Sequence, residues 1–195
     1  MTKMKLIACL AIAAFAVMSV QAPATAVDVT VENSAAPWLG WMNVSNLPAP
    51  DGDGAFQWGS GWGVPDLVAT FDDPGAKVTL SPNTIGDPDP YWYIGGGGPG
   101  APGNKIMEAN LYIEVNDDSL AGQTVNFSGE VLSNTFTDAH STVAYIKDFA
   151  PDYSSFVGTS VPLSSTGAFS ISLDTDAGLG RHVQYGFTTT GVNVW

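Results

Sequence analysis

The chain has 195 residues, 45% hydrophobic and only 13% charged, and 19 acidic residues against six basic ones give a net charge of −13. That length is enough for one domain with a real core, and glycine and proline together stay below the share that marks a low-complexity chain. A surface so poor in lysine and arginine repels phosphate backbones and anionic lipid, which argues against nucleic acid and anionic membranes as partners and favours neutral ligands, cations or salty surroundings.

Lys3 and Lys5 precede an apolar run from Leu6 to Val20, and Ala24-Thr25-Ala26 places small residues where a signal peptidase reads them. Residues 1–26 therefore read as a secretory signal, too short for a comfortable membrane span. The expected location of the mature chain is extracellular or at the cell surface, with no transmembrane segment. Leu6-Ile7-Ala8-Cys9 has the composition of a lipoprotein box but lies at the start of the apolar run, where lipidation is not expected. Cleavage after Ala26 removes Cys9, the only cysteine, and with it all thiol and disulfide chemistry.

From Val27 the apolar residues Val27, Val29 and Val31 alternate with Asp28, Thr30 and Glu32, the pattern of a half-buried strand. Trp38, Trp41, Trp58 and Trp62 follow, interrupted by Pro48, Pro50 and the turn Asp51-Gly52-Asp53-Gly54. Asp66–Phe71 and Lys77–Ser81 read as short strands joined by the turn Asp72-Asp73-Pro74-Gly75.

The most distinctive stretch is Asp87-Pro88-Asp89-Pro90, then Tyr91-Trp92-Tyr93-Ile94, then Gly95 to Gly98. The prolines make a stiff turn. The aromatic residues favour a strand, and the glycines permit a loop with close backbone approach. Gly95, Gly97 and Gly100 fit a dinucleotide fingerprint by spacing, but Pro99, Pro102 and Gly103 deny the helix on whose N-terminus a pyrophosphate would sit. Gly103-Asn104-Lys105-Ile106 is not a P-loop either.

Beyond this loop the alternation is regular. Met107, Ala109, Leu111, Ile113 and Val115 share a face. So do Val125, Phe127, Gly129 and Val131, then Val143, Tyr145, Lys147 and Phe149, then Phe169, Ile171 and Leu173, then Val183, Tyr185 and Phe187. Many short strands with turns between them, and no amphipathic helix, predict an all-β single domain over 27–195: an antiparallel β-sandwich of jelly-roll type. The sequence stops in the strand-like run Val192-Asn193-Val194-Trp195, so it is expected to be part of a longer chain.

The phrases Ala121-Gly-Gln-Thr-Val-Asn-Phe-Ser-Gly-Glu-Val, Thr142-Val-Ala-Tyr-Ile-Lys-Asp-Phe, Gly167-Ala-Phe-Ser-Ile-Ser-Leu and Val183-Gln-Tyr-Gly-Phe follow one another in that order. This half of the chain resembles the second half of jelly-roll carbohydrate-binding modules of bacterial glycanases. The resemblance implies a glycan ligand and a structural calcium held in part by an Asp-bearing last strand, which the sequence does not reach. The whole also resembles secreted bacterial surface proteins sorted by a C-terminal Pro-Glu-Pro tail (PEP-CTERM proteins), without that tail.

The residues favour a site of aromatic rings, because the C–H faces of sugars stack on Trp and Tyr while their hydroxyls bond to Asp, Asn or Gln. Trp92 with Tyr91 and Tyr93 is the first choice of ligand-binding residues, then Trp58 and Trp62. If Tyr91–Ile94 is a strand, Tyr91 and Tyr93 face one way and Trp92 the other, so one of the two faces is core. Asp87 and Asp89 are the candidate ligands of one structural calcium. Asp51-Gly-Asp-Gly begins like an EF-hand, but Ala55 stands where the third oxygen ligand belongs. Only His140 and His182 are present, too few for a His-rich metal site. The function expected is a secreted, non-catalytic module binding extracellular polysaccharide or cell-surface glycan. The alternatives are a structural surface protein without small ligand, or a glycoside-cleaving enzyme using two of the acids.

Overall fold

The computed structural model describes residues 25–195, and the signal-peptide reading falls almost wholly outside them. Ala26 opens the first strand, opposite Thr124. The described residues form eleven strands: β1 (Ala26–Val29), β2 (Trp38–Asn46), β3 (Phe56–Trp62), β4 (Ala69–Asp72), β5 (Lys77–Leu80), β6 (Lys105–Val115), β7 (Thr124–Val131), β8 (His140–Phe149), β9 (Phe156–Pro162), β10 (Gly167–Asp174) and β11 (His182–Val192). Among the described residues there is no helix, and so none long and apolar enough to cross a membrane.

The strands form one sandwich. A six-stranded antiparallel sheet runs β3-β2-β6-β11-β8-β9, and a three-stranded sheet runs β1-β7-β10. β1 joins β7 in parallel, the one departure from an antiparallel arrangement among the described strands. The inner face of the large sheet carries Met42 and Val44 from β2, Met107 to Ile113 at alternate positions of β6, Ala144 and Ile146 from β8, and Val183, Tyr185 and Phe187 from β11, all buried. Phe127 of β7 enters this layer with no exposed surface and lies 5.4 Å from Phe169, 5.5 Å from Tyr185 and 5.6 Å from Phe187 between ring centroids. Over β2 and β6 the hairpin of β4 and β5 takes the place of the small sheet, with Leu67, Ala69 and Leu80 set against Ala109 and Leu111.

Two predicted strands differ. The first of the pair starts at Ala69 rather than Asp66, because residues 63–68 turn back on themselves through bonds from Asp66 N and Leu67 N to Gly63 O. Tyr91–Ile94 is a turn, not a strand. Asp89 captures the three N–H groups that a ladder would need: Tyr91 N donates to its carboxylate, and Trp92 N and Tyr93 N donate to its carbonyl.

On the hairpin side Asp73 accepts hydrogen bonds from both Ser34 N (2.8 Å) and Ser34 Oγ (2.7 Å), which hold its carboxyl below the ordinary 3.8. Lys77 does the same to Asp72. For a carboxylate depressed in the folded state, the stabilisation is present above the unfolded pKa and is lost as pH falls through the folded one. Melting temperature should therefore drop below about pH 4, and an Asp73→Asn variant should show a shallower drop in thermal melts across that range. Equal slopes for the two proteins would remove Asp73 as a contributor.

Candidate functional site

The predicted aromatic residues come together in part. Trp58 and Trp62 point from the edge strand β3 and stack at 6.4 Å. Trp92 meets Trp58 edge-on at 6.1 Å, and Tyr91 meets Trp92 edge-on at 4.8 Å. Trp58 Nε1 donates to the Tyr91 hydroxyl at 2.9 Å, and Lys105 Nζ sits 4.4 Å above the Tyr91 ring. All four rings are half-buried, and Trp58, Trp62 and Trp92 pack against the core. They cap the open side of the sandwich between the edge strand and the long loop that joins β5 to β6.

Tyr93 is elsewhere, with 0% exposure. Its hydroxyl donates to the carbonyls of Ile85 and Val194, and its ring lies 5.5 Å from that of Trp195. Asn193, also enclosed, completes the joint: its Oδ1 accepts from Asn104 N (3.0 Å) and Lys105 N (2.9 Å), and its Nδ2 donates to Trp92 O (2.9 Å). The loop that stood out in the sequence thus clasps the run Val192–Trp195. Asp87 and Asp89 serve the turn that starts it, each accepting a backbone N–H two residues on. Among the described residues no three or more His, Cys, Asp or Glu side chains group as a metal site.

The outer face of the six-stranded sheet was not singled out in the sequence, and it holds a second set of aromatic and polar groups. Strand register puts Trp41 and Asn43 of β2, Glu108, Asn110, Tyr112 and Glu114 of β6, Gln184, Thr188 and Thr190 of β11, Val143, Tyr145 and Lys147 of β8, and Phe156 of β9 on this face. An open groove of about 420 Å3 runs over it, lined by Glu108, Tyr145, Lys147, Phe156, Thr188 and Thr190 among others.

Both ends of this face are held in place. Trp41, 41% exposed, lies across Gly59, where a Cβ would come within 3.1 Å of its Nε1. That Nε1 donates to Asn43 Oδ1 at 2.8 Å, Asn43 Nδ2 donates to Glu108 Oε1 at 3.0 Å, and Thr188 Oγ1 donates to Asn110 Oδ1 at 2.7 Å. At the other end the loop between β8 and β9 lays Tyr153 over His182, ring to ring at 4.1 Å, with its hydroxyl 3.0 Å from Glu114 Oε1. Burial and the neighbouring Glu114 carboxylate push the Tyr153 phenol up to about 12. Tyr153 takes φ +57, a left-handed conformation that costs a bulky residue energy and is kept only where its surroundings hold it.

Phe156, 54% exposed, and Lys147 complete the groove wall. The alternation of Val143, Tyr145, Lys147 and Phe149 was legible, but that face points outward, and Ala144 and Ile146 are the core side of β8. The lysine in the middle of the run was the signal available. No family model matches the chain, and no curated protein or solved structure is similar to it.

Proposed function

We propose that the protein is a secreted, non-catalytic glycan-binding or cell-surface adhesion module whose ligand lies along the outer face of the six-stranded sheet. The observation that carries this reading is the open groove lined by the exposed Phe156 ring, the hydroxyls of Thr188 and Thr190 and the held carboxylate of Glu108, with the exposed Trp41 ring and Asn43 beyond it on the same sheet face. Sugars need that combination: apolar area for their C–H faces and directed polar partners for their hydroxyls. A site of prefixed side chains on strands also loses little freedom on binding. The face offers little for glycoside cleavage. Its carboxylates Glu108 and Glu114 are six residues apart on one strand, about 20 Å at ~3.3 Å per residue, against the ~5–9.5 Å that spans a glycosidic bond.

The stacked Trp58 and Trp62 with Tyr91 and Trp92 favour a second location, at the sheet edge. Affinity gel electrophoresis against a panel of soluble plant and bacterial polysaccharides separates the two. Wild type should be retarded by at least one polymer. Trp41→Ala and Phe156→Ala should each weaken that retardation about tenfold or more, roughly 1.4 kcal/mol, with little change in melting temperature because both rings are exposed. Loss in Trp58→Ala or Trp92→Ala alone, with Trp41→Ala and Phe156→Ala unchanged, would move the site to the edge cluster. No retardation by any polymer would sink the glycan reading.

A further inference from the structure

Among the described residues four side chains carry a fixed positive charge, and three have partners within the chain. Lys77 pairs with Asp72 at 2.8 Å, Arg181 pairs with the buried Asp148 at 2.7 Å, and Lys105 donates to Asn104 O at 3.2 Å. Lys147 is different. Its Nζ stands in the groove 4.3 Å above the Tyr145 ring and 5.6 Å from Phe156. Among the described residues no carboxylate comes within ion-pairing distance of it and no acceptor within hydrogen-bonding distance.

The two carboxylates of the same face make no direct contact with Lys147: neighbours hold them, and the Glu108 charge favours the ammonium only at longer range. Glu108 Oε1 accepts from Asn43 and Asn110, and Glu114 accepts from Tyr153 and from Gln184 Nε2 at 2.7 Å. Among the described residues Lys147 is thus the one fixed cation with neither an ion-pair nor a hydrogen-bond partner, and it stands in the groove. Ring faces stabilise a cation only in part. Partial burial works against the charge and holds the Lys147 pKa below its ordinary value. An anion arriving from outside would supply the direct partner that Lys147 lacks, through a charge-assisted hydrogen bond.

We infer that Lys147 receives a carboxylate of the glycan, so that the groove selects a neutral polysaccharide bearing isolated uronate units. The inference rests on the reading of the groove as a glycan site. A single ammonium matches a single monoanion. The net charge of −13 disfavours a continuous polyuronate, whose many charges the rest of the surface would repel.

The test uses glucuronoxylan, the same polymer after carboxyl reduction of its glucuronate to glucose, and polygalacturonate. Titration calorimetry or affinity electrophoresis should show wild type binding glucuronoxylan at least tenfold tighter than either of the others. Lys147→Gln should lose that preference and bind the native and reduced polymers alike, while Lys147→Arg keeps most of it. Thermal melts establish that each variant is folded. Equal binding of both xylans by wild type, lost in Trp41→Ala, would leave the glycan site standing and overturn the role of Lys147. Lys147→Gln binding native glucuronoxylan as tightly as wild type would overturn it as well. If wild type binds no polymer of this set or of the wider panel, both readings fall together.

Discussion

Phe127→Ala should lower stability by about 3–5 kcal/mol, the range for emptying a large aromatic site in a packed core. Phe127 joins the two layers: it has no exposed surface and touches Phe169 on its own sheet and Tyr185 and Phe187 on the other. Neighbouring strands cannot close the hole, because each ring is anchored on a ladder with fixed register. At roughly 2–4 °C per kcal/mol for a domain of this size, the melting temperature should fall by about 6 to 20 °C. Phe127→Leu should lose clearly less. A change of under about 1 kcal/mol in denaturant titration of Phe127→Ala would mean that the sheets are not held together through this ring.

Asn193→Ala should cost about 1–3 kcal/mol, although it removes a small polar side chain. The buried Lys105 N loses its acceptor on Asn193, while the half-buried Asn104 N and Trp92 O each lose one bond and keep the 2.8 Å bond between them. Each unsatisfied buried group costs about 1–3 kcal/mol. Asn193→Asp keeps the acceptor but loses the donor and buries a charge, so it should not rescue. The loop carrying Trp92 should loosen with it, seen as faster amide exchange at Asn104 and Lys105. Unchanged exchange at these two amides would show that the clasp holds without Asn193.

The fold class was legible because Met107 to Val115 and Val183 to Phe187 alternate strictly, and period two has no other reading of that length. The aromatic cluster was harder. Tyr91, Trp92 and Tyr93 have the composition of a strand, but the bonds from their N–H groups to Asp89 make a turn, so the expected division between one face and the other does not arise. Instead Tyr91 and Trp92 pack together at the edge and Tyr93 goes inward. The groove was missed for a different reason. Its residues come from four strands spread between Glu108 and Thr190, and only the pairing order β6-β11-β8-β9 brings them side by side. On β8 the larger side chains face outward and the small Ala144 faces the core, so side-chain size pointed to the wrong side.

The position of β11 bears on how the chain acquires its shape. It is the last of the eleven strands in sequence and lies between β6 and β8 in the middle of the large sheet. A polypeptide emerging from its N-terminus therefore carries two half-sheets, β3-β2-β6 and β8-β9, whose facing edges have nothing to pair with until residues 182–192 arrive. The ladder that joins them is long-range, which makes closure slow and places it after residues 182–192 have been made. In the interval the open edges of β6 and β8 are docking points for chaperones and equally for a neighbouring nascent chain.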